Sequence, residues 1–295
     1  MVNLIGKELI QSKDKFVILK NGTYYSGNGP KTLDIEKSGS LKIIHLIDKD
    51  TVINIKISAE IRVCLKEIFY NVINNPKIDI AINIGAGAQV NYISFKQNQS
   101  ANNFGFITNT FLEENAYIDN KNLSVFSSKV NLIDNVYLKT PDSKVDMKNV
   151  IINVSGEKQT FQYDIYHQKE ATVSTMNNYA ISKNNSLLDI KSNGIIEKKA
   201  KQAQLHQKTK GLIVDEYSII EADPILKIKE FDCIAGHGAS IGAINEDELY
   251  YMMSRGLSQE EAEKLIIAGF INPFFVGIDE DKSIDFMKLM VEKNL

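Results

Sequence analysis

A body built mainly of β-strands and closed by a short helical tail is the fold class this sequence predicts, and three observations carry the prediction. From about residue 41 to about residue 230, apolar residues recur at every second position, the period of a half-buried strand. Connectors rich in Asn, Ser, Gly and Lys separate these runs. After residue 240 the pattern changes to capping residues followed by apolar positions at helical spacing. The chain therefore divides into a lead-in segment, 1–40, a strand-built core, 41–240, and a C-terminal helical domain, 241–295.

The opening, MVNLIGKELIQSKDKF, lacks the continuous apolar core of a secretory leader, and no run approaches the roughly 18 apolar residues of a membrane helix. The first clear strand carries Ile53, Ile55 and Ile57. The next carries Ile78, Ile80, Ile82 and Ile84, with Asp79, Ala81 and Asn83 pointing the other way. Val130 with Leu132, Val145 with Met147 and Leu226 with Ile228 continue the series. Alternation fixes which face is buried but not which strand pairs with which, so a sandwich, a barrel and a solenoid all remain open. No exact sequence repeat selects among them.

In INEDELYYMMSRG, Asn245 is placed to cap a helix, Glu248 to close a capping box and Gly256 to supply a left-handed stop. Ser258 and Glu261 repeat the device ahead of Ala262, Leu265 and Ile266, with Gly269 as the next stop. Beyond Pro273 and the acidic loop Asp279, Glu280, Asp281, a third helix is expected near Ser283, burying Ile284, Met287, Met290 and Val291. Such a tail either caps the β body or docks another protein.

At 295 residues, 43% of them hydrophobic, the chain is long enough to bury a large core. Its net charge of -3 gives no overall reason to bind nucleic acid or an anionic membrane. Two cysteines, Cys64 and Cys233, make no disulfide framework, which suits a reducing cytoplasm. Gly238-Ala-Ser240-Ile-Gly242 fits G-x-S-x-G, but a hydrolase of that type has its acid and histidine later in the chain, and His237 is the last histidine. Gly85-Ala-Gly87 lacks the third glycine of a dinucleotide fingerprint and reads as a turn between strands. There is no G-x-x-x-x-G-K-[ST] loop to cradle a triphosphate, so any ATP chemistry belongs to a partner.

The four histidines and two cysteines show no metal-ligand spacing, and one chain cannot build a four-thiolate site. His45, inside LKIIHLI, reads as a packed or hydrogen-bonded side chain. His167 and His206 read as strand or turn residues, and Cys64, in IRVCLKEIFY, as a buried small hydrophobe. His237 differs, because Gly236, Gly238 and Ala239 leave its imidazole open to a partner or a metal.

The stretch GLIVDEYSIIEADPILKIKEFDCIAGHGASIGAINEDELYYMMSRGLSQEEAEKLIIAGFINPF resembles the C-terminal signature of the SufB/SufD family of iron–sulfur cluster assembly proteins. Its elements arrive in family order: A-D-P-x-L-x-I, Asp232, H-G-A-S-I-G, E-D-E-L-Y-Y-M-M-S-R-G and a helix ending G-F. YHQKEATVSTMNNYAI and GIIEKKAKQAQLHQKTKGLIV are similar, more loosely, to the preceding family turns. His-Gly-Ala at 237–239 looks like the SufD version, where SufB usually carries histidine followed by glutamate. Two residues before this histidine, where SufD chains commonly carry a cysteine, stands Ala235, and the cysteine is Cys233. The chain is also short, without the helical N-terminal region of longer relatives.

The resemblance implies a right-handed parallel β-helix followed by a small helical domain. It implies a non-catalytic scaffold that pairs through its β-helix with SufB or a second copy and docks a SufC ATPase, with a desulfurase system supplying sulfur indirectly. No cofactor would be held stably by this chain alone, only transient iron or a nascent cluster at the partner interface. His237 matches the interface histidine and would be the iron ligand, with Cys233 and Asp232 as weaker candidates. Residues 246–270 would form the SufC surface, through Glu246, Asp247, Leu249, Tyr250, Arg255, Gly256, Leu265 and Phe270. Two other readings stand beside this one. One is a SufB-like principal scaffold acting as a homodimer, with Cys64 and Cys233 as its thiols. The other is a β-helix enzyme acting on a polysaccharide, which would want a cluster of carboxylates or a lysine–arginine pair on one face and usually a secretory signal, none of them evident in the sequence.

Overall fold

The computed structural model describes residues 8–98 and 103–295; the first seven residues of the lead-in segment lie outside them. Strands β1 (Phe16–Lys20), β2 (Thr23–Gly27), β3 (Asp34–Ile35), β4 (Gly39–Ile47), β5 (Thr51–Ile57) and β6 (Arg62–Val72) come first. They are followed by β7 (Lys77–Ile84), β8 (Gln89–Gln97), β9 (Phe104–Leu112), β10 (Tyr117–Phe126), β11 (Val130–Leu138) and β12 (Lys144–Asn153). The last six are β13 (Lys158–His167), β14 (Val173–Ser182), β15 (Leu187–Ile196), β16 (Ala203–Ile213), β17 (Ile219–Ile228) and β18 (Cys233–Ala243). Helices α1 (Glu246–Ser254), α2 (Gln259–Phe275) and α3 (Lys282–Asn294) complete the chain.

From β3 onward each strand pairs in parallel with the strand two places along, so the chain coils through two facing sheets as a parallel β-solenoid. One sheet has the order β18-β16-β14-β12-β10-β8-β6-β4-β1-β2, the other β17-β15-β13-β11-β9-β7-β5-β3. This selects the solenoid among the architectures that alternation left open. Like residues stack in register: Ile53 on Ile80, Ile55 on Ile82 and Ile57 on Ile84. These inward rows form one continuous core between the sheets.

The coil turns at residues with positive φ: Glu60, Gly87, Asn115, Asp142, Ala171 and Gln202. They stack through main-chain bonds, for example from the Gly87 amide to the Glu114 carbonyl at 2.8 Å. Gly85-Ala-Gly87 is thus one step of a turn ladder, as its spacing suggested. Gly238-Ala-Ser240-Ile-Gly242 lies within β18 and makes no strand-to-helix elbow.

A second apolar cluster lies on the outer face of the ten-stranded sheet, which is therefore buried on both sides. That explains why LKIIHLI reads as a continuous apolar run while TVINIKI alternates. α2 and α3 cover this face. Ile267, Ile271, Phe274, Ile284, Met287 and Val291 pack against Ile68, Phe95, Leu123 and Val150. Asp281 caps α3 and accepts from Lys42 at 3.1 Å and Lys66 at 2.7 Å, tying the tail to two strands.

Ser258 and Glu261 form the full capping box, and Gly256 has the expected positive φ. Gly269 is not a stop. α2 runs through it, because burying Ile271 and Phe274, at about 1.5–3 kcal/mol each, outweighs the roughly 1 kcal/mol cost of an interior glycine, and Pro273 falls in its last turn. Leu265 is 52% exposed and does not share the buried face with Ala262. No helix among the described residues is long and apolar enough to cross a membrane.

Candidate functional site at the open end of the solenoid

The two ends of the solenoid differ. At the start, the short antiparallel strand β2 and the two-residue β3 blunt the sheet edges. At the finish, β18 pairs on one side with β16 and β17 with β15, and among the described residues no strand covers their other edges. Each final strand therefore offers a row of unpaired amides and carbonyls. Apolar side chains stand exposed around them, with Phe231 fully so and Ile234, Ile241, Ile219 and Ile228 between 40% and 59% so. An apolar strand edge of this length is a template for another chain.

His237 lies in the middle of this edge. It is in register with Gln207, which follows Met176, Met147, Asn120 and Tyr92 along one row. Those residues face the interior, so His237 occupies the inward face of the last strand, yet it is exposed because nothing stacks beyond it. Its neighbours Gly236 and Gly238 leave its flanks bare. The Gln207 carbonyl oxygen Oε1, next along the row, is buried without a hydrogen-bond partner.

Cys233 shares that inward face four positions earlier, roughly 13 Å away at strand rise. Its thiol donates to the Glu230 carbonyl at 3.2 Å, and burial, then the Glu230 and Asp232 charges, push its pKa up. A protonated thiol at that distance does not share an ion with His237. Asp232 precedes the strand with its side chain exposed, and its carbonyl continues the turn ladder by accepting from the Gln202 amide at 2.5 Å. Cys64 is half-buried on the outer face of β6 and is not the sealed hydrophobe its sequence context suggested. It lies six strand spacings from β18, roughly 29 Å. Among the described residues no three His, Cys, Asp or Glu side chains converge on a metal position.

The two buried histidines are structural. His45 stacks on Phe69 at 4.6 Å and meets Glu67 at 2.7 Å. His167 bonds Thr172 and Ser174, and burial lowers its pKa to about 4.

Sequence reasoning missed a polar lane inside the solenoid. Lys96 donates to Ser94 at 2.8 Å and Asn122 at 3.2 Å. Asn122 donates to Asn149, Asn149 to Asn178, and Asn178 to Thr209 and Ser192. Its one sequence signal is polar residues where the alternation calls for inward apolar ones, as at Asn122 and Asn149. Facing this lane, Asp134 is fully buried with Oδ1 unpartnered, and burial, partly offset by Lys96, pushes its carboxyl up to about 6. Because the folded pKa exceeds the unfolded value of about 3.9, the native state holds the proton more tightly. Its stabilising effect is complete below about pH 4 and lost as pH rises through about 6. Asp134→Asn is therefore expected to gain about 2 kcal/mol on the parent between pH 4 and pH 7, read as the difference between urea-unfolding curves across pH.

The helical tail shows a free face. α1 buries no residue; Tyr250 is 75% exposed, and Glu246, Asp247, Arg255 and Gly256 are exposed beside it. Leu249 is half-buried, while Phe270 holds its ring edge-on to Tyr179 at 5.8 Å, against its own sheet.

Comparison with known proteins places this geometry in a family. An iron–sulfur cluster assembly protein SufD of Bacillus subtilis (strain 168) is 35% identical over 128 residues, 43% of this chain and 29% of that one. SufBD family proteins of Staphylococcus epidermidis (strain ATCC 12228) and Staphylococcus aureus (strain USA300) are each 26% identical over 212 residues, 72% of this chain and 45% of theirs. The chain thus spans less than half the length of these relatives. The family described as SUF system FeS cluster assembly, SufBD core domain, matches residues 48–270, from the first full coils through most of α2. The chain belongs to the SufB/SufD family of iron–sulfur cluster assembly proteins and is SufD-like within it.

Proposed function

We propose that the chain is a scaffold subunit of a SufBCD-type complex, pairing through β17 and β18 with a SufB chain or a second copy and docking a SufC-type ATPase through α1 and the start of α2. One observation carries this reading: the solenoid is blunted at its start and open at its finish, and the open edge presents His237. Iron or a nascent cluster is the cargo. His237 offers one imidazole nitrogen, and a chain this poor in thiols leaves the sulfur ligands to its partner. Sulfur reaches the assembly from a desulfurase system, ATP hydrolysis belongs to the SufC-type partner, and the setting is the cytoplasm.

Co-expression with a SufC-type ATPase and a SufB-type chain tests the assembly. Deleting residues 246–270 would also strip Ile266, Ile267 and Phe270 from the cluster that covers the ten-stranded sheet, so a surface change is the cleaner probe. Leu249→Glu with Tyr250→Glu, on a helix with nothing buried, is expected to weaken ATPase binding at least tenfold while leaving the strand-paired chain in place. Undiminished ATPase binding by that variant would reject α1 as the docking face.

A further inference from the structure

Two outward rows cross the ten-stranded sheet beside the open edge. The first runs Asp119, Asp146, Thr175, His206, Gly236, and the second Lys121, Lys148, Asn177, Lys208, Gly238. On β10 and β12 the rows neutralise one another, Asp119 with Lys121 and Asp146 with Lys148, both at 3.5 Å. On β14 they become Thr175 and Asn177, and Thr175 donates back to Asp146 at 2.5 Å. On β16 they carry an imidazole and an ammonium, His206 and Lys208, both exposed, and no carboxylate among the described residues pairs with either. On β18 both positions are glycine.

The result is an open hollow of about 610 Å³ over the last strand, lined by Thr175, Asn177, His206, Lys208 and the two glycines. His206 leans over it, since a Cβ at Gly236 would lie 3.5 Å from His206 Nδ1. A Cβ at Gly238 would meet nothing within 4 Å. An ammonium and an imidazole thus flank a gap that ends at an unpaired strand edge.

We propose that this hollow receives a carboxylate side chain from a non-identical chain that lays a strand along the free edge of β18. The inference rests on the pairing reading above and adds the chemistry of the partner. A strand added at the usual spacing of about 4.8 Å puts its own outward row beside Gly236 and Gly238 and roughly twice that distance from β16. Bare glycine lets an Asp or Glu there reach across one strand to Lys208 and His206, completing the pairing that Asp146 makes with Lys148. A second copy does not fill the gap. The outward residues of β18 are Ile234, Gly236, Gly238, Ser240 and Gly242, so full-length self-pairing supplies no carboxylate.

The test is titration of the purified chain with the SufB-type partner at two salt concentrations, alongside Lys208→Glu, His206→Ala and Ile241→Asp. Lys208→Glu is expected to weaken association at least tenfold and flatten its salt dependence, and His206→Ala to weaken it severalfold. Ile241→Asp should weaken association through lost apolar contact while keeping the salt dependence. Changing the partner's facing acid to lysine should restore binding to Lys208→Glu. Parental affinity and salt dependence in Lys208→Glu would overturn the proposal and leave the pairing reading standing. The same holds if inorganic phosphate binds the isolated chain through Lys208 while association ignores the substitution. Failure of the parent chain to associate at all would instead overturn the pairing reading.

Discussion

Replacing Glu67 with alanine is expected to cost about 3–5 kcal/mol of folding stability, among the largest single-residue effects in this chain. Glu67 is fully buried between the sheets, where it meets His45 Nε2 at 2.7 Å and accepts from the Tyr92 hydroxyl. Burial alone would push its carboxyl up. The hydrogen bond and charge of His45, then Tyr92 and Lys96, more than reverse this and hold it below the ordinary carboxylate range. Burial, and after it the same carboxylate, holds the Tyr92 hydroxyl well above its ordinary range. Lys96 is likewise sealed, and burial lowers its pKa against the pull of Asp134 and Glu67. Alanine at 67 would leave the His45 imidazole and the Tyr92 hydroxyl in the interior without their acceptor, and Lys96 with Asp134 as its remaining buried carboxylate. Glu67→Gln keeps the shape and one acceptor, so its loss should be about half as large. Urea unfolding of both variants checks this, and an alanine variant within 0.5 kcal/mol of the parent would mean that the network relaxes without it.

This network shows what could be read in the sequence and what could not. The strands were legible because their period is local: Ile78, Ile80, Ile82 and Ile84 announce one buried face without reference to any other segment. The caps at Asn245 and Ser258 were legible for the same reason. Glu67, Asn122 and Asn149 carry no such signal, since each is a polar residue in an otherwise ordinary strand. They become a lane only when β6, β10 and β12 stack in register, and register depends on pairs some 27 residues apart. Gly269 has the local propensity of a helix stop, but the helix continues because Ile271 and Phe274 are held by strands far back in the chain. The site was half legible. Small neighbours marked His237 as open, but its inward-facing row and the bare edge of β18 are properties of the coil.

His237→Ala is expected to leave the fold and the partner assembly intact and to reduce cluster delivery in cells at least tenfold. The separation of these effects follows from position. The side chain is exposed, so its removal opens no cavity and strands no buried group. The free edge of β18 is main chain, which alanine leaves unchanged, and the apolar side chains exposed around it are Phe231, Ile234 and Ile241. What disappears is one nitrogen donor at the mouth of the solenoid. Cys233 does not replace it, because it lies roughly 13 Å along the strand with its thiol bonded to the Glu230 carbonyl. Activity of cluster-dependent enzymes in a strain carrying the variant reads the loss, and circular dichroism with partner co-purification reads the fold. His237→Cys supplies a further discriminating arm, since a thiolate is a competent iron ligand and should recover part of the function that alanine loses. If the alanine variant instead delivered clusters at the parental rate, the imidazole would be removed from cargo binding. The open edge would then act through association alone.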